Sequence, residues 1–235
     1  MPDPSLPEYL AAEQSPLGLV CLRRRAIAGD PEEVATEITL DHQFLMSSAN
    51  TASERALADR AVALHAGAQL SVLVGGLGLG YTAHAVLASL RVARVEVVEY
   101  LAPVIAWLGE GRLPLSAELT RDPRLVVRQG DVYGQLDAAP EHDGARYDLI
   151  LIDVDHSPEE PLGSESERFH SEAGLARARE HLAPGGVLGV WSYAESPRFA
   201  HALARVFAEV QIERVRFENR IIGDIETNVV FLARG

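Results

Sequence analysis

The sequence predicts an α/β protein with a doubly wound, mostly parallel sheet of seven strands, a carboxyl-terminal antiparallel hairpin and a small amino-terminal β appendage. From residue 70 onward, short apolar runs alternate with helix-like segments, which is typical of parallel sheets covered by helices on both faces. The last two runs, 211–218 and 226–234, are joined too closely for a helical crossover. We therefore expect these two runs to pair antiparallel.

The composition narrows the class of protein. The 235 residues are enough for one sizeable domain with an appendage, and a hydrophobic content of 47% supplies a core. A net charge of -13 argues against nucleic acid as a partner. No apolar run approaches the ~20 residues of a membrane span, so no membrane association is expected. A single cysteine, Cys21, and the lack of a signal-peptide pattern predict a cytoplasmic protein.

Residues 1–50 are expected to form an arm and the β appendage. Four prolines interrupt residues 1–16, which predicts the arm. The runs 17–27 and 35–48 have strand-like composition, and the segment GDPEE (29–33) between them has turn chemistry.

Residues 51–235 are expected to form the main domain, which opens with a helix over 51–67. Thr51 or Ser53 is its candidate N-cap. Its apolar positions are spaced for one face of a helix, namely Ala56, Leu57, Ala61 and Leu64.

The remaining elements follow in alternation. The predicted parallel strands are LSVLVGG (70–76), RVEVVEY (94–100), RLVVRQGD (124–131), YDLILIDVD (147–155) and VLGVWSY (187–193). The predicted helices are YTAHAVLASL (81–90), LAPVIAWLGEG (101–111), FHSEAGLARAREHLAPGG (169–186) and PRFAHALARVFAEV (197–210). Pro-Gly-Gly at 184–186 is expected to end the third of these helices, and Gly223-Asp224 to turn the final hairpin.

The residues that end the strands predict a nucleotide site, because ligands of such sheets bind outside the carboxyl ends of the strands. The first strand runs into Gly75, Gly76, Gly78 and Gly80, which permit a tight turn and close approach of a ligand. Glu99 can accept hydrogen bonds from both hydroxyls of a ribose, and Asp131 from an adenine amino group. The fourth strand ends in Asp153 and Asp155.

A dinucleotide dehydrogenase is the first alternative. Gly76 and Gly78 begin a G-x-G-x-x-Y pattern, with Tyr81 where the dinucleotide fingerprint has glycine. The terminal hairpin is also absent from a plain dinucleotide fold. Both observations disfavour this alternative.

Several segments together carry a family resemblance. VLVGGLGLG, VEVVE, LVVRQGDVY, YDLILIDVD and HLAPGGVLGV resemble the fold of AdoMet-dependent methyltransferases, and more narrowly the spermidine synthase family. ITLD (38–41) resembles that family's strand before the active-site entrance, and ERALADRAVAL (54–64) resembles its helix motif E-x-A-Y-H-E. GGLGLG, QGDVY and DVDHSP stand where the family has G-G-G-D-G-G, G-D-x-[FY] and D-x-x-D-P.

The resemblance implies an adenosyl sulfonium donor, either AdoMet or decarboxylated AdoMet, with no metal, and a homodimer. It implies that the four loop glycines face the amino-acid or aminopropyl end of the donor. Glu99, followed by Tyr100, would hold the ribose, while Asp131 and Val132 would contact adenine. Asp153 would lie beside the sulfonium and the incoming nucleophile.

Transfer from a sulfonium needs position and a group that takes the acceptor's proton. Our hypothesis is that Asp153 takes the proton of an amine, with Asp155 holding the cation. An alternative is that Asp153 only caps its strand and orders the next loop. The acceptor is therefore expected to be a small molecule, with a cationic one favoured by the acidic segment 153–168, which is either a lid or a solvated loop.

Three positions depart from the resembling family. Its Tyr-His pair is Leu57-Ala58, which leaves Asp59 as the acid of the helix motif, and its loop acid is replaced by Leu77 or Leu79. The second acid of D-x-x-D is His156, for which a proton-shuttle or metal role is weighed against the lack of ligand spacing among the histidines.

These changes affect residues expected to recognise the aminopropyl end of the donor or the acceptor, and none affects those expected to contact ribose or adenine. Aminopropyl transfer, methyl transfer to a small acceptor, and nucleoside binding without catalysis therefore remain open. Trp191 and Tyr193 either wall the acceptor pocket or pack at its rim.

Overall fold

A computed structural model describes residues 7–27, 30–140, 146–160 and 164–235 of the chain. Eleven strands and eight helices occur in these residues, and the strands form one sheet of four and one of seven. None of the helices in these ranges combines the length and apolar character that crossing a membrane requires.

The smaller sheet is built from the first four strands. They are β1 (Glu8–Ser15), β2 (Gly18–Ile27), β3 (Asp30–Leu40) and β4 (Gln43–Ser47). Neighbours in the chain are neighbours in the sheet, and all pairs are antiparallel. This sheet confirms the β appendage.

Two expectations for the smaller sheet are wrong. The arm predicted over 1–16 is a paired strand from Glu8, because residues 8–15 find a complete antiparallel partner in β2. The turn predicted at 29–33 is strand from Asp30, while residues 28–29 and 1–6 lie outside the described ranges. The tighter turn of this region is at Asp41-His42, where both residues adopt positive φ.

The larger sheet has the predicted seven strands. They are β5 (Leu70–Gly75), β6 (Val92–Glu99), β7 (Leu125–Gln129), β8 (Tyr147–Ile152), β9 (Leu182–Ser192), β10 (Glu209–Asn219) and β11 (Asp224–Arg234). Their spatial order is β10-β11-β9-β8-β5-β6-β7. Strands β5 to β9 pair in parallel, and β11 is antiparallel to both β9 and β10. The prediction of a doubly wound sheet with an antiparallel hairpin is confirmed.

Helices cover both faces of this sheet. They are α1 (Ala52–Leu64), α2 (Tyr81–Leu87), α3 (Ala102–Gly109), α4 (Ser116–Arg121), α5 (Val132–Asp137), α6 (Ser164–Phe169), α7 (Glu172–Glu180) and α8 (Pro197–Val206). Alternate residues of a strand belong to opposite apolar clusters: Val72 and Val74 lie in one, and Leu73 in the other. The continuous apolar runs of the sequence follow from this burial on both sides.

The helix start at residue 51 is confirmed, but its capping is not. Thr51 occupies the N-cap position without a side-chain cap bond, and its hydroxyl instead accepts from Arg55 Nε at 3.2 Å. The predicted face buries Leu57 and Ala61 completely.

The Pro-Gly-Gly segment does not end a helix. Helix α7 stops at Glu180, and residues 184–186 lie inside β9. There the register with β8 slips, since Tyr147 pairs with Leu182 but Leu149 pairs with Val187. Gly185 takes a φ of +76°. The segment therefore forms a bulge-like irregularity within β9 and does not end a helix.

Candidate active site

A cavity of about 510 Å³ lies at the carboxyl ends of β5, β6, β7 and β8. This is the side of the sheet, next to the switch between β5 and β8, where ligands of doubly wound folds bind. The smaller sheet lines it with Ile38 and Leu40 of β3 and with Phe44 and Met46 of β4. The volume falls in the range of small-molecule and cofactor sites.

Most of the predicted site residues line this one cavity. They are Gly76, Gly78, Glu99, Tyr100, Asp131, Val132, Asp153 and Asp155. Gly75 and Gly80 do not line it. A Cβ on Gly75 would lie 2.8 Å from the Val132 side chain, and one on Gly80 would lie 2.4 Å from Leu119. These two glycines therefore serve packing and the start of α2, and their predicted place against a ligand stays a prediction.

In the glycine loop between β5 and α2, every backbone amide from residue 76 to 80 donates a hydrogen bond to another atom of the protein. Gly76 N donates to Val98 O, and Gly80 N donates to Leu77 O. Leu77 N donates to Glu99 Oε2 at 2.7 Å, and Gly78 N reaches the same oxygen at 3.4 Å. Leu79 N donates to the thioether sulfur of Met46 at 3.0 Å. The loop amides are therefore all paired within the protein.

Glu99 is the acid that holds this loop. Its second oxygen, Oε1, accepts from Leu101 N at 2.7 Å, so the carboxylate ties the end of β6 to both neighbouring turns. Burial raises the pKa of Glu99, and the backbone amides of Leu101, Leu77 and Gly78 oppose that rise. Each carboxylate oxygen has two acceptor sites, which leaves capacity for a ligand hydroxyl in the cavity.

Asp131 is the N-cap of α5. Its Oδ1 accepts from Tyr133 N at 2.9 Å, a bond that satisfies one of the unpaired amides at the helix start. The same side chain and Val132 line the cavity, next to Gly130.

Asp153 shares the cavity with a second buried acid, Glu54 from the first turn of α1. Thr82 Oγ1 donates to Asp153 Oδ2 at 2.5 Å, and Ser53 Oγ donates to Glu54 Oε2 at 2.8 Å. Burial raises the pKa of Asp153 to about 6. Burial and then the charge of Asp153 raise the pKa of Glu54 to about 7. We call Glu54 and Asp153 the carboxylate pair.

The sequence interpretation placed the acid of the α1 motif at Asp59, and this is wrong. Asp59 is exposed on the outer face of α1, whereas Glu54 is 8% exposed and lines the cavity. Glu54 is the first letter of the motif ERALAD, so the signal for it was present. Which acid faces inward depends on the angle at which α1 packs against β9, which the motif does not give.

Asp155 lies deeper than its predicted role as a cation-binding group requires. It is 5% exposed, and its Oδ2 accepts from Tyr133 Oη at 2.7 Å and from Ser166 Oγ. His170 Nε2 lies 3.9 Å from the same oxygen. Asp155 therefore connects the end of β8 to Tyr133 of α5, Ser166 of α6 and His170. It forms part of the cavity wall within this network.

Seven acidic side chains line the cavity, and Lys and Arg are absent from its described lining. The seven are Glu54, Glu99, Asp131, Asp153, Asp155, Glu165 and Glu226. Arg55 lies beside this lining, with its guanidinium carbon 5.3 Å from the ring centre of Tyr81. An acidic, aromatic-lined cavity is suited to a cationic ligand.

The remaining predicted groups lie around the mouth of the cavity. His156, Trp191 and Tyr193 all line it, and Tyr193 is 43% exposed while its hydroxyl donates to Glu160 Oε1 at 2.7 Å. His156 Nε2 lies 3.3 Å from Phe44 O, which joins the acidic segment to β4. No group of three or more metal-binding side chains suited to an ion occurs in the described part of the chain.

The sheet order, the terminal hairpin and the cavity at the switch point define a doubly wound α/β fold, and ligands of such folds bind at this edge. No protein-family model matches the sequence, and no curated protein matches it either.

Solved structures define the fold more narrowly. A spermidine synthase in complex with the transition-state analogue AdoDATO matches with a TM-score of 0.75 and 18% identity, covering 97% of this chain and 73% of that one. The spermidine synthase from Thermotoga maritima matches with a TM-score of 0.72 and 17% identity, covering 97% and 72%. The chain has a spermidine synthase-like fold, as the resemblance predicted.

Proposed function

We propose that the protein transfers an aminopropyl group from a donor of the decarboxylated AdoMet class to a small amine. The observation that carries this proposal is the charge of the cavity, which presents seven acids and, within the described lining, neither lysine nor arginine. A sulfonium donor and an amine acceptor are both cations. The neighbouring structure in complex with AdoDATO supports a related donor.

The glycine loop favours a donor without a carboxylate. AdoMet carries a carboxylate on its amino-acid end, and its decarboxylated form does not. A carboxylate beside the loop would need amide donors, but the amides of Gly76 to Gly80 are all paired within the protein. It would also face the carboxylate pair, and like charges in a poorly hydrated site repel strongly.

The reaction is a displacement at carbon. The lone pair of the acceptor nitrogen attacks the methylene carbon next to the sulfonium, a C–N bond forms, and the C–S bond breaks with its electrons returning to sulfur. The donor leaves as a neutral thioether, and the new C–N bond leaves the product nitrogen as an ammonium, so the one proton to be removed is the one that the acceptor carries before it attacks. Because the donor is already activated, the protein mainly provides alignment and a proton acceptor.

The carboxylate pair is suited to that proton. An amine acceptor is mostly protonated near pH 7, so it arrives as a cation and must be deprotonated before it attacks. Carboxylates with pKa values of about 6 and about 7 are stronger bases than ordinary ones and still ionise near neutrality. Asp153 is proposed to take the proton, and Glu54 to stabilise the bound cation.

Calorimetry with three ligands tests the proposal. Decarboxylated AdoMet is expected to bind at least tenfold more tightly than AdoMet, and methylthioadenosine is expected to bind as the product. Tighter binding of AdoMet would indicate methyl transfer instead. Binding of all three without turnover in the presence of amines would indicate a nucleoside-binding protein, and binding of none would refute the donor class.

A further inference from the structure

Thr82 lies in the first turn of α2 and connects that helix to Asp153. The residue is only 3% exposed, and its hydroxyl donates to Asp153 Oδ2 at 2.5 Å. The backbone of Asp153 is fixed as well, because its amide donates to Gly75 O at 3.0 Å. The main chain and the carboxylate of Asp153 are therefore both held by neighbouring parts of the protein.

Glu54, the other member of the carboxylate pair, has a different hydroxyl donor. Its Oε2 accepts from Ser53 Oγ at 2.8 Å, and Ser53 Oγ accepts from Asn228 Nδ2 at 2.9 Å. A hydroxyl that donates to an ionised carboxylate gives an O···O distance of about 2.5–2.7 Å, whereas an ordinary hydroxyl bond measures about 2.7–2.8 Å. The distance at Asp153 matches the first kind of bond, and the distance at Glu54 matches the second.

Two carboxylates that share a poorly hydrated cavity do not lose their protons independently. The acid that ionises first makes the second harder to ionise, because the two negative charges repel each other. A hydroxyl that donates to one of the two acids stabilises the ionised form of that acid and lowers its pKa. The acid with the stronger donor is therefore the one that ionises first.

The pKa values of the pair agree with this order. Burial raises the pKa of Asp153 to about 6, and the hydrogen bond from Thr82 opposes that rise. Burial and then the charge of Asp153 raise the pKa of Glu54 to about 7. Glu54 thus releases its proton beside an Asp153 that is already ionised.

We propose that Thr82 is a positioning residue that makes Asp153, rather than Glu54, the first member of the carboxylate pair to ionise. The inference rests on the proposed function, in which Asp153 takes the proton of the acceptor. A base must be ionised before it can accept a proton. Thr82 itself does not line the cavity, so it affects the reaction only through Asp153.

Other charged and titratable groups surround the pair. Arg55 follows Glu54 on α1 and lies beside the cavity. The described cavity wall also contains the five remaining acids of the seven, together with Tyr81, Tyr100, Tyr133, His156 and Tyr193. All of these groups are unchanged among the Thr82 variants compared below. A difference between those variants therefore reports on the carboxylate pair.

Titration of protein labelled with carboxyl-¹³C aspartate tests this role without a substrate, and the spectrum of Asp153→Asn assigns the resonance. Thr82→Val removes the hydroxyl at nearly constant volume. We expect the titration midpoint of Asp153 to rise by about one pH unit or more, because a hydrogen bond to a charged group is lost. Thr82→Ser keeps a hydroxyl and should keep the midpoint. Thr120→Val is the matched control, since Thr120 Oγ1 donates to Ser116 O and not to a carboxylate.

The pH profile of kcat/KM tests the same role in the reaction. Activity should rise with pH as Asp153 ionises, so the acid limb of Thr82→Val is expected about one pH unit above that of the unchanged protein, a loss of about tenfold at pH 6. At pH 9 kcat should return to within about threefold, because Asp153 is then ionised in both proteins. Thr82→Ser should restore the original limb. A merely structural role would lower the activity equally at every pH.

The outcomes separate this inference from the proposed function. An unmoved Asp153 midpoint in Thr82→Val, or an equal movement in Thr120→Val, would overturn the role of Thr82 even if the unchanged protein catalyses the transfer. Absence of any transfer by the unchanged protein would refute the reaction, and the carboxyl titration would still test Thr82. If Thr82→Val does not fold, Thr82→Ala removes the same hydroxyl with a better helix former and must give the same shift.

Discussion

Asp153 is held by its neighbours in a way that suits a base. It follows β8 directly, its amide donates to Gly75 O at 3.0 Å, and Thr82 fixes one carboxylate oxygen. Asp153 lines the cavity, and burial raises its pKa to about 6. A carboxylate with one oxygen fixed can take a proton without first changing its rotamer.

Replacing Asp153 with Asn should separate catalysis from binding. The amide keeps the shape and the bond to Thr82 but cannot take a proton, so we expect kcat to fall about 100-fold or more. Donor affinity, measured by calorimetry, should change less than threefold. Asp59→Asn, on the exposed face of α1, is the control. Unchanged turnover in Asp153→Asn would show that this side chain only orders the strand end.

Glu54→Gln should stabilise the protein at high pH. The folded-state pKa of Glu54 is raised from 4.5 to about 7, so the folded protein holds a proton that the unfolded chain releases. The stability associated with that proton is complete below pH 4.5 and is lost as the pH rises through 7. We expect the variant to gain about 3 kcal/mol in unfolding free energy at pH 8 and little at pH 4.5. Urea unfolding at both pH values measures this, and an equal effect at both would contradict the raised pKa.

For single residues, the sequence predicts the acidic side chains that follow a strand, but it does not predict which side chains of a helix or of the hairpin face the cavity. Asp153, Asp131 and Glu99 could be found because each one ends a recognisable apolar run or directly follows one. Glu54 and Glu226 could not, since their direction depends on how α1 and the hairpin pack. Asp155 was predicted to line the site, but its bonds to Tyr133 and Ser166 depend on distant parts of the chain.

The glycine loop is the element on which the donor proposal depends. Its tight path requires left-handed backbone at Gly76, where φ is +91°, and places that residue against the backbone of Asp153. A side chain cannot be accommodated there, because a Cβ would lie 2.3 Å from Asp153 O. The loop therefore couples its own shape to the position of the proposed base.

Gly76→Ala should lower the free energy of unfolding much more than a comparable glycine substitution outside the site. Gly111 also has a positive φ, of +76°, but nothing lies within 4 Å of a Cβ placed on it. Gly111→Ala is expected to lose about 1 kcal/mol from backbone strain alone. Gly76→Ala should lose at least about 3 kcal/mol, because the strain is joined by a clash with backbone. Thermal unfolding of both variants measures the difference, and equal losses would refute the close approach.

Turn-forming residues were the least reliable guide to where helices and strands begin and end. Pro-Gly-Gly usually marks a helix end, yet here β9 passes through it as an irregularity. The segment GDPEE reads as a turn, yet it enters β3 from Asp30. In both cases sheet pairing overrides a local preference. The order of the seven strands and of α1, α2, α3, α7 and α8, by contrast, followed from apolar periodicity and length, whereas the short helices α4, α5 and α6 were not predicted.

The whole molecule places the cavity between its two sheets. The larger sheet supplies the acids at its strand ends, and the smaller sheet covers them with apolar side chains such as Ile38 and Leu40. Leu40 pairs with Val20, so the cover is part of a bonded sheet rather than a loose segment. A ligand in the cavity would contact both units and should stabilise them together.

Donor binding should therefore raise the stability of the entire chain. A ligand at 100 times its Kd adds about 2.7 kcal/mol to the free energy of unfolding if only the folded protein binds it. We expect decarboxylated AdoMet at a given concentration to raise the melting temperature more than AdoMet does, in one cooperative transition. Adenosine, which lacks the sulfonium, is the control for nucleoside contacts. A larger rise with AdoMet would contradict the proposed preference for a donor without a carboxylate.

Met46 gives the cavity an isotopic reporter of its own. Its sulfur accepts from the amide of Leu79 and lies against Gly78, and the chain has two methionines, of which the other is residue 1. Protein labelled with methyl-¹³C methionine would therefore give one resonance from within the chain, placed at the loop where the donor is proposed to bind. The chemical shift of that methyl group would follow donor exchange directly, without a coupled assay or a known acceptor.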